Sequence, residues 1–141
     1  MSITLPTHIF NINGQIVKEF ISDDSNHSLK FICGRDKRYK AKANHPGNFT
    51  INRYVRRDIK DLPLWGRKVV LSIELRQLRF RDGTRRIENV DFVDKSCYYT
   101  LRFCKFVSGL CRYMSMSAVA KHLKLRWETV KNMDKGYLDA T

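Results

Sequence analysis

The chain is short of acids, has only three prolines in its 141 residues, and contains no closely paired cysteines. Acidic residues number 14 against 27 lysines and arginines, a formal net charge of +13. Cations in that excess repel one another across a small surface unless counter-charge arrives, which points to a polyanionic partner. The acids lie scattered among basic segments and form no cluster that would hold two catalytic metal ions. The four cysteines, Cys33, Cys97, Cys104 and Cys111, include no C-x-x-C pair. The last three recur at intervals of seven, stacked along one helix stripe about 10 Å apart, too far to bridge. They read as small buried thiols of a reduced cytosol.

No apolar run approaches the roughly 18–20 residues that a membrane-spanning helix needs. The opening MSITLPTHIF has neither the basic start nor the apolar core of a signal peptide, so a soluble, cytoplasmic protein is expected. Gly-rich phosphate loops and nucleophile elbows are missing too. No enzyme activity, cofactor, metal or small-molecule substrate is expected on these grounds.

What is present suffices for a packed interior: 43% of residues are hydrophobic, with eight Phe, six Tyr and two Trp. The cation excess is local. Residues 1–29 carry one base and three acids, residues 30–86 carry 17 bases and five acids, and residues 95–141 carry nine bases and three acids. A binding face in the middle and C-terminal parts explains that distribution better than general solubilisation does.

The first ninety residues read as β structure. Asn13-Gly14 sits between THIFNI and QIVKEFI, a two-residue hairpin signal with both central positions at φ > 0. SLKFICG (28–34) and RYKAKA (38–43) are candidate strands, with HPGN (45–48) turning into FTINRYVRR. Pro63 and Gly66 punctuate DLPLWGRKVVLSIELRQLRF. From Val69 onward Val69, Leu71, Ile73 and Leu75 alternate with Ser72, Glu74 and Arg76, predicting a strand with one buried face. Asp82-Gly83 then turns the chain into a second hairpin. From Asp94 the period becomes helical, with Cys97, Leu101, Cys104, Val107 and Cys111 on one stripe, widened by Phe103, Phe106 and Leu110, and Asp94 or Ser96 as cap. A boundary near Phe92–Ser96 divides a basic β-rich part, 1–93, from a helical part, 94–141.

SMSAVAKHLKLRWETVKNM (115–133) carries the spacing of a helix-turn-helix. Ala120 takes the small crossing position, and Val119, Leu123, Leu125, Val130 and Met133 the shared interface. Ser115 or Ser117 caps the first helix, and the turn covers about Lys124–Arg126. Lys124 stands where Gly is favoured for φ > 0. Arg126, Trp127, Thr129, Lys131 and Asn132 point away from the interface and are the candidate DNA base contacts, with Glu128 beside them.

RYVRRDIKDLPLWGRKVVLSIELRQLRF, followed by YYTLRFCKFVSGLCRYMSMSAVAKHLKLRWETVKNMDKGYL, resembles the N-terminal region of bacterial DDE insertion-sequence transposases that begin with a zinc ribbon. The likeness spans about residues 28–138, and DLPLWG (61–66) and the helix-turn-helix are its specific parts. It implies an α+β fold: a small antiparallel β subdomain, degenerate zinc-ribbon-like, followed by a three-helix helix-turn-helix. The family's paired cysteines fall here on Lys30 and Cys33, then on Phe80 and Gly83. One thiolate cannot hold a tetrahedral zinc, and no spacing recruits His27 or His45, so no metal is expected. The chain ends just past the helix-turn-helix, where the family continues into a catalytic domain, so no transposition chemistry is expected of it.

The function expected from this resemblance is sequence-specific binding of double-stranded DNA, for end recognition or regulation. Arg53, Arg56, Arg57, Arg67, Lys68, Arg76, Arg79, Arg81, Arg85, Arg86, Lys121 and Lys124 are the candidate phosphate contacts. An alternative of another class stays open: a protein-interaction factor that docks on a nucleoprotein complex or another protein, with Trp65 and Trp127 as anchors. A second copy of the chain is a further open partner. RNA binding through Tyr39 and Tyr54 has no recognisable motif behind it.

Overall fold

A computed structural model describes residues 12–93 and 98–140. Five strands are followed by three helices: β1 (Gln15–Asp23), β2 (Ser28–Arg35), β3 (Phe49–Leu64), β4 (Arg67–Phe80), β5 (Arg85–Ile87), α1 (Leu101–Leu110), α2 (Met116–Leu123) and α3 (Trp127–Ala140). The α+β class and the three helices agree with the sequence. The sheet is not wholly antiparallel, because its order is β1-β2-β4-β3 and β2 runs parallel to β4. The β3–β4 hairpin occupies one edge of β4, so the earlier strand β2 reaches the other edge in parallel, and β5 pairs with β4 further along.

DLPLWG supplies the end of β3 and the turn into β4. Leu64 pairs with Arg67, and Trp65 and Gly66 between them have φ of 49° and 73°, the two positive values of a type I′ hairpin. At Asn13-Gly14 only Gly14 has positive φ, 85°. Gln15 N–H donates to Ile12 O at 3.3 Å, so Gly14 holds the third position of a type II-like turn. The strand expected before it falls largely on residues 7–11, outside the described residues. A Cβ on Gly14 would lie 2.5 Å from Arg35 Nη1, so close approach also demands glycine there. That guanidinium is buried against Glu88, with Nη2 to Oε1 at 2.7 Å, while Nη1 donates to Gly14 O at 2.7 Å.

RYKAKA is a loop and not a strand. Its backbone is committed elsewhere: Tyr39 O accepts from Arg76 Nη1 at 2.7 Å, and Lys42 O accepts from Asn89 N at 2.7 Å. This loop also corrects the reading of β4 as a strand buried on one face. Val69, Leu71, Ile73 and Leu75 pack with Leu29, Phe31, Cys33 and Ile59 in the sheet core. On the opposite face Ser72, Arg76, Leu78 and Phe80 are buried as well. The rings of His45 and Phe49 meet Phe80 edge-on at 4.4 and 5.5 Å there.

The helices build a second core from Phe103, Cys104, Val107, Val119, Ala120, Val130 and Met133. Helix α1 is capped by Thr100, whose hydroxyl accepts from Phe103 N–H. The cap therefore falls four or more residues later than expected; Asp94, Ser96 and Cys97 lie outside the described residues. Phe106, read as part of the buried stripe, is exposed.

Asp61 joins the two cores. Its carboxylate, 3% exposed, accepts from Thr100 Oγ1 at 2.6 Å and from Arg102 Nε at 2.8 Å, and pairs with Arg102 Nη2. Backbone bonds flank it, Lys60 N to Tyr98 O at 2.8 Å and Thr100 N to Lys60 O at 3.0 Å. The next residue, Leu62, packs into the helical core. Replacing Asp61 with Ala leaves a capping hydroxyl and a half-buried guanidinium without their shared acceptor. Urea unfolding should show a loss of about 2–4 kcal/mol, with Asp61→Asn losing less because the Thr100 bond survives.

Candidate nucleic-acid interface

Helices α2 and α3 form the expected pair. Ser115 caps α2, its hydroxyl accepting from Ala118 N–H at 3.1 Å, and α2 ends on Lys124 at φ 56°, ψ 43°, the left-handed C-cap. Leu125 N–H then donates back to Ala120 O at 2.9 Å. Val119, Ala120, Val130 and Met133 are buried together, with Leu123 and Leu125 packed against them. Ser108 Oγ donates to Asp134 at 2.7 Å and ties α1 to α3. The pair is thereby fixed by packing on one side and open on the other.

Arg126, Trp127, Lys131 and Asn132 are all exposed at the start of α3, and Thr129 is half-buried. Lys131 Nζ lies 5.4 Å from the centre of the Trp127 ring, one turn earlier. This cation–π contact holds a charge over an aromatic plane at the solvent face. Exposed Lys135 continues the same face at i+4, a further cation that helical spacing from Lys131 identifies.

The candidate phosphate contacts do not gather in one place. Lys68, Lys121 and Lys124 are exposed, and Lys68 Nζ lies 3.4 Å from Lys124 O, which puts the start of β4 against the helix-turn-helix turn. Arg67, beside Lys68, pairs with Asp24 at 2.8 Å. Arg79, Arg81, Arg85 and Arg86 are exposed at the far end of β4, where Arg79 and Arg85 stand directly opposite each other. Two guanidiniums facing across a ladder are mutually destabilising without an anion. From Lys68 to Arg79 is eleven residues of strand, roughly 36 Å at 3.3 Å each.

Between these ends Arg53 donates to Gln77 at 3.2 Å, and Arg56 donates to Cys33 O and Ser72 O at 3.1 and 3.0 Å. Half-buried Arg57 lines a groove of about 880 Å³ with Lys40 and Lys42, two cations not singled out from the sequence. Arg76 is withdrawn as a phosphate contact: it is 4% exposed, and its guanidinium is held by Tyr39 O.

The residues at the ribbon positions do not fit a zinc ion. Cys33 lies level with the first half of β4 and Phe80 at its end, roughly 20 Å apart along the strand. Burial pushes the Cys33 thiol up to about 12. Among the described residues no three His, Cys, Asp or Glu side chains are grouped to hold a metal. His45 instead faces Asp82 Oδ2 at 2.9 Å.

The spacing of the helix pair has a counterpart among known families. Residues 88–138 match the family model described as the helix-turn-helix domain of transposase family ISL3. The chain is also 33% identical over 86 residues to the transposase for insertion sequence element IS1001 of Bordetella parapertussis. Residues 88–138 are thus similar to a transposase helix-turn-helix. The match to the Bordetella protein covers 60% of this chain and 21% of that relative, so the chain spans about a fifth of its length. No solved structure matches.

The turn of the helix pair and the end of the sheet each carry a measurable consequence. Lys124→Gly removes the steric cost of a side chain at positive φ. Thermal or urea unfolding should show a gain of roughly 0.5–1 kcal/mol, reduced by the added freedom of glycine in the unfolded chain. The Asp82 carboxyl is held down to about 2, from an ordinary 3.8, by the Thr84 amide and hydroxyl and then by His45. Because the folded value is depressed, its stabilisation is complete above the ordinary value and lost as pH falls through about 2. A carboxyl-carbon NMR titration of Asp82 should give a midpoint near 2; a midpoint at the ordinary value would contradict the Thr84 and His45 contacts.

Proposed function

We propose that this chain binds duplex DNA in a sequence-dependent manner, with α3 of the transposase helix-turn-helix in the major groove. The observation that carries the reading is the exposed stripe Arg126, Trp127, Lys131 and Asn132 on a helix whose other face is locked into the core. Asn132 suits adenine, with its paired donor and acceptor, and Arg126 and Lys131 suit guanine. The basic clusters at the two ends of β4 supply phosphate contacts that carry affinity without reading sequence. Their separation of roughly 36 Å is comparable to one turn of B-DNA, about 34 Å. One duplex tracked by both ends would relieve the facing arginines Arg79 and Arg85.

In this role the chain acts as a transposase-derived recognition module, in end recognition or in repression of an element. A salt titration of binding to a duplex selected by the protein from a random pool tests the reading. Affinity should fall steeply with salt, with the logarithmic slope reduced by about 1 for each phosphate-contacting cation removed at Arg85, Arg86 or Lys121. Lys131→Ala and Asn132→Ala should each cost about 1–3 kcal/mol on the selected duplex and little on an unrelated one. Equal losses on both duplexes would remove base reading from α3.

A further inference from the structure

Three turns converge on one end of the molecule. The β1–β2 turn is held by Lys68 N–H donating to His27 O at 3.0 Å and by the Arg67–Asp24 pair at 2.8 Å. The β3–β4 turn is Trp65-Gly66. The α2–α3 turn is joined to it through Lys68 Nζ and Lys124 O at 3.4 Å. Among the described residues, three non-glycine residues have positive φ: His27 at 49°, Trp65 at 49° and Lys124 at 56°. Each stands in one of these three turns. Left-handed backbone in a residue bearing a side chain costs free energy, and such residues concentrate at binding and catalytic sites.

Trp65 is the sharpest case. Asn, Asp or Gly would fill a type I′ position at little cost, yet a tryptophan occupies it and is 90% exposed. Nothing in folding explains the choice: the ring is outside both cores, and a Cβ on neighbouring Gly66 would meet no atom within 4 Å, so the tip projects into open space. Cations flank it, with Arg67 and Lys68 on β4 and Lys124 and Arg126 in the adjoining turn. The acids of this end are Asp23, which closes β1 and is bonded to Ser25 and Asn26, Asp24, which is paired with Arg67, and exposed Glu128 in the first turn of α3. The approach to a polyanion therefore runs over the hairpin tip and the helix-turn-helix turn.

We infer that the Trp65 hairpin is a second DNA contact, an aromatic tip that enters the groove beside the site read by α3 and stacks on or wedges between bases there. The inference rests on the proposed duplex binding by α3 and adds the element that extends it. Lys68 and Lys124, linked at the junction, fix the tip relative to the turn that leads into α3. Apolar and aromatic side chains inserted at base steps unstack them at a cost recovered through the wider contact that follows. Stacking tolerates any base, so Trp65 contributes affinity and reach and leaves sequence choice to α3.

The test compares the intact chain with Trp65→Ala and Trp65→Phe on the duplex that the wild-type protein selects, by affinity and hydroxyl-radical footprint. Both variants should keep the wild-type circular dichroism and unfolding midpoint, since the side chain packs against neither core. Trp65→Ala is expected to weaken binding about five- to fifty-fold and to shorten the footprint on one flank without changing the preferred bases. Trp65→Phe should recover most of both. A variant Trp65→Ala that binds and protects like the wild type overturns the inference and leaves the ring as a contact for a protein. Equal loss by Ala and Phe overturns stacking. Absence of any duplex binding by the wild type overturns the reading of α3 and this inference together, whereas the first two results leave α3 standing.

Discussion

Everything that aims the helices depends on the buried carboxylate of Asp61. Three donors from the start of the helical part converge on it: one hydroxyl and two nitrogens of a single guanidinium. A charged acceptor taken out of water is costly unless fully paired, and here the pairing partners come from the segment that must be held. Thr100 serves twice, donating to Asp61 and capping α1 through Phe103 N–H. The same oxygen thus starts the helix and anchors it to the sheet. Leu62, the next residue along β3, carries the contact into the helical core. The helix-turn-helix is consequently mounted on a β-hairpin and oriented by it.

That mounting explains the order of residues in DLPLWG. Asp61 is the clamp, Leu62 the apolar plug, Pro63 sits near the end of an edge strand where no ladder donor is needed, and Trp65-Gly66 make the turn. Six consecutive residues therefore connect the sheet core, the helical core and the exposed tip. The long β3–β4 ladder separates two basic ends by a distance comparable to a turn of DNA, and the helices stand at one of them. Buried polar groups such as Arg35–Glu88 close the opposite side of the sheet, where a chain of this size has little apolar material to spare.

Much of this was legible in the residues. The interface spacing of 115–133, the Ser115 cap, the left-handed Lys124 and the exposed start of α3 all follow from helical periodicity and cap chemistry, which are local. The Asp82-Gly83 hairpin was legible for the same reason. What was not legible is long-range. The parallel β2–β4 pairing depends on which edge of β4 a distant hairpin leaves free. RYKAKA has strand-like alternation, but its backbone bonds to Arg76 and Asn89, 37 and 47 residues away from Tyr39 and Lys42. Burial of Arg76 follows from that loop, so an arginine that looked solvent-facing by alternation was a structural one. The role of Asp61 also needed the fold, because its partners at 100 and 102 lie about forty residues on.

Held in this orientation, α3 is proposed to read base edges in the major groove. Interference by guanine-N7 methylation on a duplex selected from a random pool tests this reading, because N7 lies in the major groove and is a preferred partner of arginine and lysine. The expected result is a short block of guanines whose methylation abolishes binding, with the block lost or shifted in Arg126→Ala or Lys131→Ala. Enrichment of no sequence from the pool, or binding indifferent to N7 methylation throughout the protected region, would contradict it.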